Sequence, residues 1–260
     1  MRRYGLILVA CLALAACAGG EEDAAIKNWD ASSFLRLADR AAAQGDGFMA
    51  LQMYEKALAE DPNSLPAQLG YAKSLQNFGE RPAAIAAFTA LLAKRPNDME
   101  LQTALGVLWL GEGDGKQAEK YIAQALDRQP SPRLFNLLAL AHELQDQPTG
   151  AMAAYHSGLL LGNDPNLQSN LGLSLVLRNQ ARQGLRYLQA AAGDPKALPR
   201  HRQNLAFGYI ALQQPEKAEQ ILRPEMGDQA AVALLDSYRE ILAKPTRLQR
   251  IRALLSARPS

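Results

Sequence analysis

Three dipeptides ending in proline, Asp61-Pro62, Arg95-Pro96 and Gln129-Pro130, stand 34 residues apart. Proline donates no backbone hydrogen bond and its ring clashes with the preceding turn, so each one stops a helix at the same point of its interval. A chain punctuated in this way is confined to one kind of unit stacked on its neighbours, because no single unit can bury its own apolar face. With these prolines at place 32, units begin at Ala31, Leu65 and Met99, and weaker ones follow from Pro132, Pro165 and Pro199. Place 8 holds Ala38, Ala72, Gly106, Ala139, Gly172 and Ala206. Place 20 holds Ala50, Ala84, Ala118, Ala151, Gly184 and Ala218, and place 24 holds Tyr54, Phe88, Ile122, Tyr155, Leu188 and Leu222. Small residues let two helix backbones approach, and a bulky one fills the gap beside them.

The turn residues fit pairs of helices. Gly45, Gly79 and Gly113 fall at place 15, where a left-handed residue ends a helix at little steric cost. Pro82, Pro148 and Pro215 fall near the start of the second helix, where the missing N–H is not needed. No alternating strand pattern and no Asn-Gly hairpin signal is present. The chain therefore reads as all-α. Over about residues 31–230 it resembles tetratricopeptide (TPR) repeats. The resemblance implies a right-handed α-solenoid of about six helix pairs that binds other proteins through a groove lined by the first helix of each pair.

Apolar residues at helical spacing continue past the repeats, at Val232, Leu234, Leu235, Tyr238, Ile241 and Leu242. They predict a C-terminal capping helix of the kind that closes a solenoid. A basic tail follows, with Arg247, Arg250, Arg252 and Arg258 and no acidic residue from 241 onward. It suits either a solvated capping face or contact with anionic headgroups or an acidic partner.

The first residues read MRRYGLILVACLALAACAGG: two arginines, then an uncharged, mostly apolar run from Tyr4 to Ala16. That run is too short to span a bilayer, which takes about 20 residues, and suits a signal peptide. It ends in Leu14-Ala15-Ala16-Cys17, which resembles the lipobox of bacterial lipoproteins. The resemblance implies cleavage before Cys17 and a lipid on its thiol. Ala18, in place of the Asp often found in lipoproteins retained at the inner membrane, implies an outer-membrane anchor facing the periplasm. The expected organisation is a signal peptide at 1–16, a lipidated Cys and tether at 17–30, repeats at 31–229, and the capping helix and tail at 230–260. Cys11 leaves with the signal peptide, so the mature chain has no thiol pair to form a disulfide. Without Arg2 and Arg3, 26 basic residues face 26 acidic ones. A neutral chain of this kind is a poor nucleic-acid binder, which would need a basic face.

Groups that carry chemistry are scarce. The histidines are His142, His156 and His201, and none lies in a metal-ligand spacing. His142 occupies a packing place, and His201, between Arg200 and Arg202, reads as a solvated helix start. The segment Gly111-Glu-Gly-Asp-Gly115 could suggest calcium, but it falls on the turn of the third unit. With no nucleophile–base set and no phosphate loop, the reading is a non-catalytic protein without cofactor or metal.

The groove-lining places are polar and mixed in the first units, with Arg36, Asp39, Lys73, Gln76, Asn77, Glu100 and Thr103, and change character late. Unit five supplies Asn170, Leu173, Val176 and Leu177, and unit six Arg200, Gln203, Asn204, Phe207 and Ile210. Asn170 and Asn204 share place 6, where in peptide-binding members of the family an Asn holds the ligand backbone with an amide that both donates and accepts. The expected partner site is Asn170, Leu173, Val176, Leu177, Gln203, Asn204, Phe207 and Ile210. In the competing arrangement the helix after 230 folds back over this apolar surface. Few Lys or Arg lie nearby, which disfavours a clamp for carboxylates.

A lipobox followed by these repeats occurs in pilotins of secretin systems, in the outer-membrane assembly lipoprotein BamD and in the TadD lipoproteins of the tight-adherence (Flp) pilus system. Asn170-Leu-Gly-Leu-Ser-Leu, Arg202-Gln-Asn-Leu-Ala206 and Glu216-Lys-Ala-Glu-Gln-Ile-Leu-Arg223 resemble TadD most. That resemblance implies a pilotin-like role toward a secretin or other pilus-assembly components. A scaffold for other envelope machinery, such as peptidoglycan enzymes or outer-membrane protein assembly, is the alternative.

Overall fold

The computed structural model describes residues 29–256. The signal segment, Cys17, the tether up to residue 28 and Arg258 lie outside the described residues. Among the described residues there are fourteen α-helices and no strand. Twelve form six pairs: α1 (Ala31–Ala43) with α2 (Gly47–Glu60), α3 (Leu65–Asn77) with α4 (Arg81–Lys94), α5 (Met99–Gly111) with α6 (Gly115–Leu126), α7 (Pro132–Leu144) with α8 (Pro148–Leu161), α9 (Pro165–Leu177) with α10 (Ala181–Gly193), and α11 (Pro199–Ala211) with α12 (Pro215–Met226). Two more follow, α13 (Asp228–Ala243) and α14 (Arg247–Ser256). The first helix of each pair begins at 31, 65, 99, 132, 165 or 199, so the proline spacing and the small-residue places carry the register of the fold.

Helix ends follow local chemistry. Asp30, Asp46, Asp98, Asp114, Ser131 and Asp164 accept backbone N–H groups of the helix that each precedes, which satisfies donors the first turn leaves open. Place 15 is left-handed in all six pairs. Gly45, Gly79 and Gly113 take φ of 79°, 79° and 77°, and Asp146, Asn179 and Gln213 hold the same turn at 55°, 62° and 58°. Asp and Asn visit this region more readily than other side chains, whereas Gln213 bears the steric cost. The turn Glu112-Gly113-Asp114 is this same helix connection, and Asp114 is spent on capping α6.

The chain divides into two units, Met1–Ala87 and Phe88–Ser260. In the first, α1 and α2 close on a core of Phe34, Ala38, Ala41, Ala50, Met53, Tyr54, Ala57 and Ala67. The Tyr54 hydroxyl donates to Asp39 at 2.7 Å. Burial, and then that bond, raise its pKa above the ordinary tyrosine value.

In the second unit the small residues sit at helix crossings. A Cβ on Gly106 would lie 2.5 Å from Ile122, and one on Gly172 would lie 2.7 Å from Leu188 and 2.9 Å from the Gly184 carbonyl. The core runs through Ile122, Ala139, Tyr155, Leu171 and Leu188 into Phe207 and Leu222. Helix α13 packs on α11 and α12, as a cap on the last pair would. Helix α14 turns back further and lies on α7 and α9, the first helices of the fourth and fifth pairs.

Candidate partner-binding cleft

The sequence placed the partner site on α9 and α11, the first helices of the fifth and sixth pairs. Two arrangements stood open there, an apolar docking groove or a surface covered by the chain's own C-terminal helix. In the structure the C-terminal helices cover it. Leu173, Val176, Leu177, Phe207 and Ile210 are buried in one cluster with Leu235, Tyr238 and Ile241 of α13 and Ile251 and Leu254 of α14. Phe207 has no exposed surface, and its ring meets Tyr238 edge-on with centroids 5.2 Å apart. These five side chains are core, because α13 and α14 together cover the apolar face that an open groove would have offered to another protein.

A cleft of about 730 Å³ opens beside those helices, with amides on one side and apolar side chains on the other. Asn170, Gln203 and Asn204 from the predicted set line it, with Asn136, Asn166 and Ser169 beside them. Side chains one repeat apart join across the helices. Asn170 Nδ2 donates to Asn136 Oδ1 at 2.9 Å, and Asn204 Nδ2 donates to Ser169 Oγ at 2.8 Å. Nearer the helix starts, Asn166 Oδ1 accepts from Arg200 Nη2 at 2.6 Å and from His201 Nε2 at 3.0 Å. Arg133 and Arg200 are exposed at the rim. Leu137, Leu140, Leu234, Tyr238 and Leu254 form an apolar wall. Such a surface can take a peptide whose backbone meets amides on one side and whose side chains meet the apolar wall on the other.

His201 is not the solvated residue that its neighbours Arg200 and Arg202 suggest, since it is 1% exposed. Its Nδ1 accepts the Leu198 N–H at 3.0 Å, so the ring proton sits on Nε2 and is donated to Asn166. Burial, and then the charge of Arg200, lower its pKa from the usual value. Both nitrogens are engaged, and the ring serves as a strut between α9 and α11. His142 is partly buried, with Nδ1 2.7 Å from Gln147 Oε1, and His156 is exposed. Among the described residues no group of three or more His, Cys, Asp or Glu could hold a metal.

Reading one repeat at a time misses Asn136, Asn166 and Ser169. The 34-residue period was the available signal: Asn136 with Asn170 and Asn166 with Arg200 are each one period apart. A second feature had no such signal. Glu143, 3% exposed on α7, accepts hydrogen bonds from Ser174 of α9 and from Arg247 of α14, and Arg247 also reaches Asp146. The Arg178 guanidinium lies 3.9 Å from the same carboxylate.

The tetratricopeptide repeat family model matches residues 41–108 and 78–141. The general transcriptional corepressor ssn6 of Schizosaccharomyces pombe is 36% identical over 84 residues, which are 32% of this chain and 8% of that protein. The chain thus matches only a small part of that relative's length. PilW, a widely conserved type IV pilus biogenesis factor, is similar in structure with a TM-score of 0.65 and 19% identity, covering 78% of this chain and 98% of its own. Pseudomonas aeruginosa PilF gives a TM-score of 0.59 at 18% identity, covering 79% and 96%. At these identities the likeness is one of fold.

Proposed function

We propose that this tetratricopeptide-repeat protein is a lipid-anchored, non-catalytic binding factor that acts in a pilotin-like way on the secretin or other components of the tight-adherence (Flp) pilus apparatus. The observation that carries protein binding is the amide-lined cleft on α7, α9 and α11, whose polar floor and apolar wall suit a peptide segment. The finer reading is supported by the lipobox Leu14–Cys17, by the late-repeat segments that resemble TadD, and by a fold similar to that of the pilus biogenesis factor PilW. Ala18 after the lipidated Cys supports outer-membrane residence facing the periplasm. Anchoring would raise the effective concentration of the cleft near a membrane-embedded target.

Two experiments test this. Cys17→Ser should move the protein from the outer membrane to the soluble periplasmic fraction and reduce assembled secretin there; a variant that stays with the membrane rules out the lipid anchor. Titration calorimetry with the periplasmic part of the secretin should show binding that Gln203→Ala with Asn204→Ala weakens at least tenfold, about 1.4 kcal/mol. Unchanged affinity would place the partner elsewhere. Genes for a prepilin, a secretin and a secretion ATPase beside its own would agree with the pilus reading, and peptidoglycan genes there would favour the scaffold.

A further inference from the structure

We infer that the surface beneath α14 is a helix-binding groove, that α14 is its ligand in cis, and that a partner helix of the same pattern takes its place. This rests on the protein-binding reading and specifies the kind of partner. The pattern is read from α14 itself. Arg247, Ile251 and Leu254 stand at i, i+4 and i+7, one face of a helix. Ile251 and Leu254 are buried against the repeats, and Arg247 reaches the buried Glu143 and, beside it, Asp146. The groove therefore asks for a basic residue followed by apolar residues four and seven places on.

Three observations set α14 apart from α13 as a separate segment. It is ten residues long, below the roughly 12–15 at which an isolated helix becomes even marginally stable in water, so its order depends on docking. It has its own start signal, since Thr246 Oγ1 accepts the Gln249 N–H and the Gln249 side chain accepts the Thr246 N–H. Lys244 and Pro245 separate it from α13, with Lys244 extended at ψ 138°. By contrast α13 buries Ala231, Leu235, Tyr238 and Ile241 and belongs to the core.

The fit under α14 is also incomplete. A cavity of about 30 Å³ remains there, lined by Leu140, Glu143, Leu173 and Leu177 on the repeat side and by Ile251 and Leu254 on the helix side. Leu140, Asn170 and Leu254 line both this cavity and the polar cleft. Displacing α14 would join the two into one longer groove, and a partner that presents a helix with a flanking extended segment would fill both. Glu143 makes the site selective, because without Arg247 the buried carboxylate keeps only the Ser174 hydroxyl and the more distant Arg178, and an incoming helix that brings its own cation restores the lost partner.

The test uses the full mature chain and a labelled peptide spanning residues 245–256 as the probe. In the native protein, hydrogen exchange of α14 amides should be at least tenfold faster than that of α13 amides. Arg247→Ala should lower α14 protection at least tenfold, leave α13 protected, and raise the affinity for the probe at least tenfold over native. Protection on binding should appear in α7 and α9. A probe carrying Arg247→Glu should not bind. Leu254→Asp in the protein provides a second way of undocking α14 should the first variant fail to fold. Exchange of α14 only together with α13, or a probe that binds neither variant, overturns the inference. So does a dimer in which two copies exchange α14, which would assign the groove to a second copy. If the secretin segment binds the polar cleft while α14 stays fully protected, this inference fails and the proposed function stands.

Discussion

Arg247, near the C-terminus, donates a hydrogen bond to Glu143, which precedes it by 104 residues and is buried on α7. The pair ties α14 to the fourth repeat. With Arg247 gone, the Glu143 carboxylate keeps the Ser174 hydroxyl and the more distant Arg178. Removing one partner of a buried pair costs more than removing both, because the remaining charge is left poorly compensated.

The opening free energy of α14, read from hydrogen exchange, should therefore fall more in Arg247→Ala than in Arg247→Ala with Glu143→Gln. The coupling between the two sites should be roughly 1–3 kcal/mol. Effects that simply add would show that the pair does not hold the helix.

Phe207→Ala should behave as a core mutation. The side chain is fully buried and packs edge-on against Tyr238. Truncation leaves a cavity and should lower the unfolding free energy in urea by about 3–5 kcal/mol. A loss below about 1 kcal/mol would mean that α13 does not cover this face in solution.

The small residues at helix crossings should resist enlargement. Gly106→Leu and Gly172→Ala place atoms within 3 Å of Ile122 and of Leu188 and the Gly184 carbonyl. Overpacking of this kind typically costs about 1–3 kcal/mol. Gly193→Ala is the control, because a Cβ there meets nothing within 4 Å and the change should be neutral or slightly stabilising. Thermal midpoints of the three variants decide it, and equal midpoints would break the assigned register.

His201 should make stability depend on pH. Its folded-state pKa lies below the unfolded value of about 6.5, because burial and then Arg200 disfavour the charged ring. Between the two values the unfolded chain binds more protons, so stability rises with pH. The contribution is fully present above about pH 6.5 and is lost as pH falls toward the folded value. Protonation would also force the Leu198 N–H off Nδ1. Urea midpoints measured from pH 7.5 down to 5 should fall more steeply in the native chain than in His201→Gln. Parallel curves would remove His201 as the cause.

The repeat architecture was legible because it is written locally and repeatedly. The prolines at 62, 96 and 130, the small residues at places 8 and 20 and the bulky ones at place 24 each specify a helix stop or a helix crossing within one unit. Recurrence turned weak signals into a register. The left-handed turns at Asp146, Asn179 and Gln213 were harder to see because no glycine marks them, and their position in the repeat was the clue.

The candidate site was legible only in part. The sequence by itself placed Asn170, Gln203 and Asn204 on the face of the first helices, and the structure lines a cleft with them. It also put Leu173, Val176, Leu177, Phe207 and Ile210 on that face and predicted a helix after 230, but it could not choose between an open groove and a covered one. An apolar stripe has the same pattern whether its partner is another protein or a later helix of the same chain. The choice is made by non-local contacts, Phe207 with Tyr238 and Glu143 with Arg247, which have no repeat period to announce them and which exist only when the tertiary structure folds α13 and α14 back across the repeats.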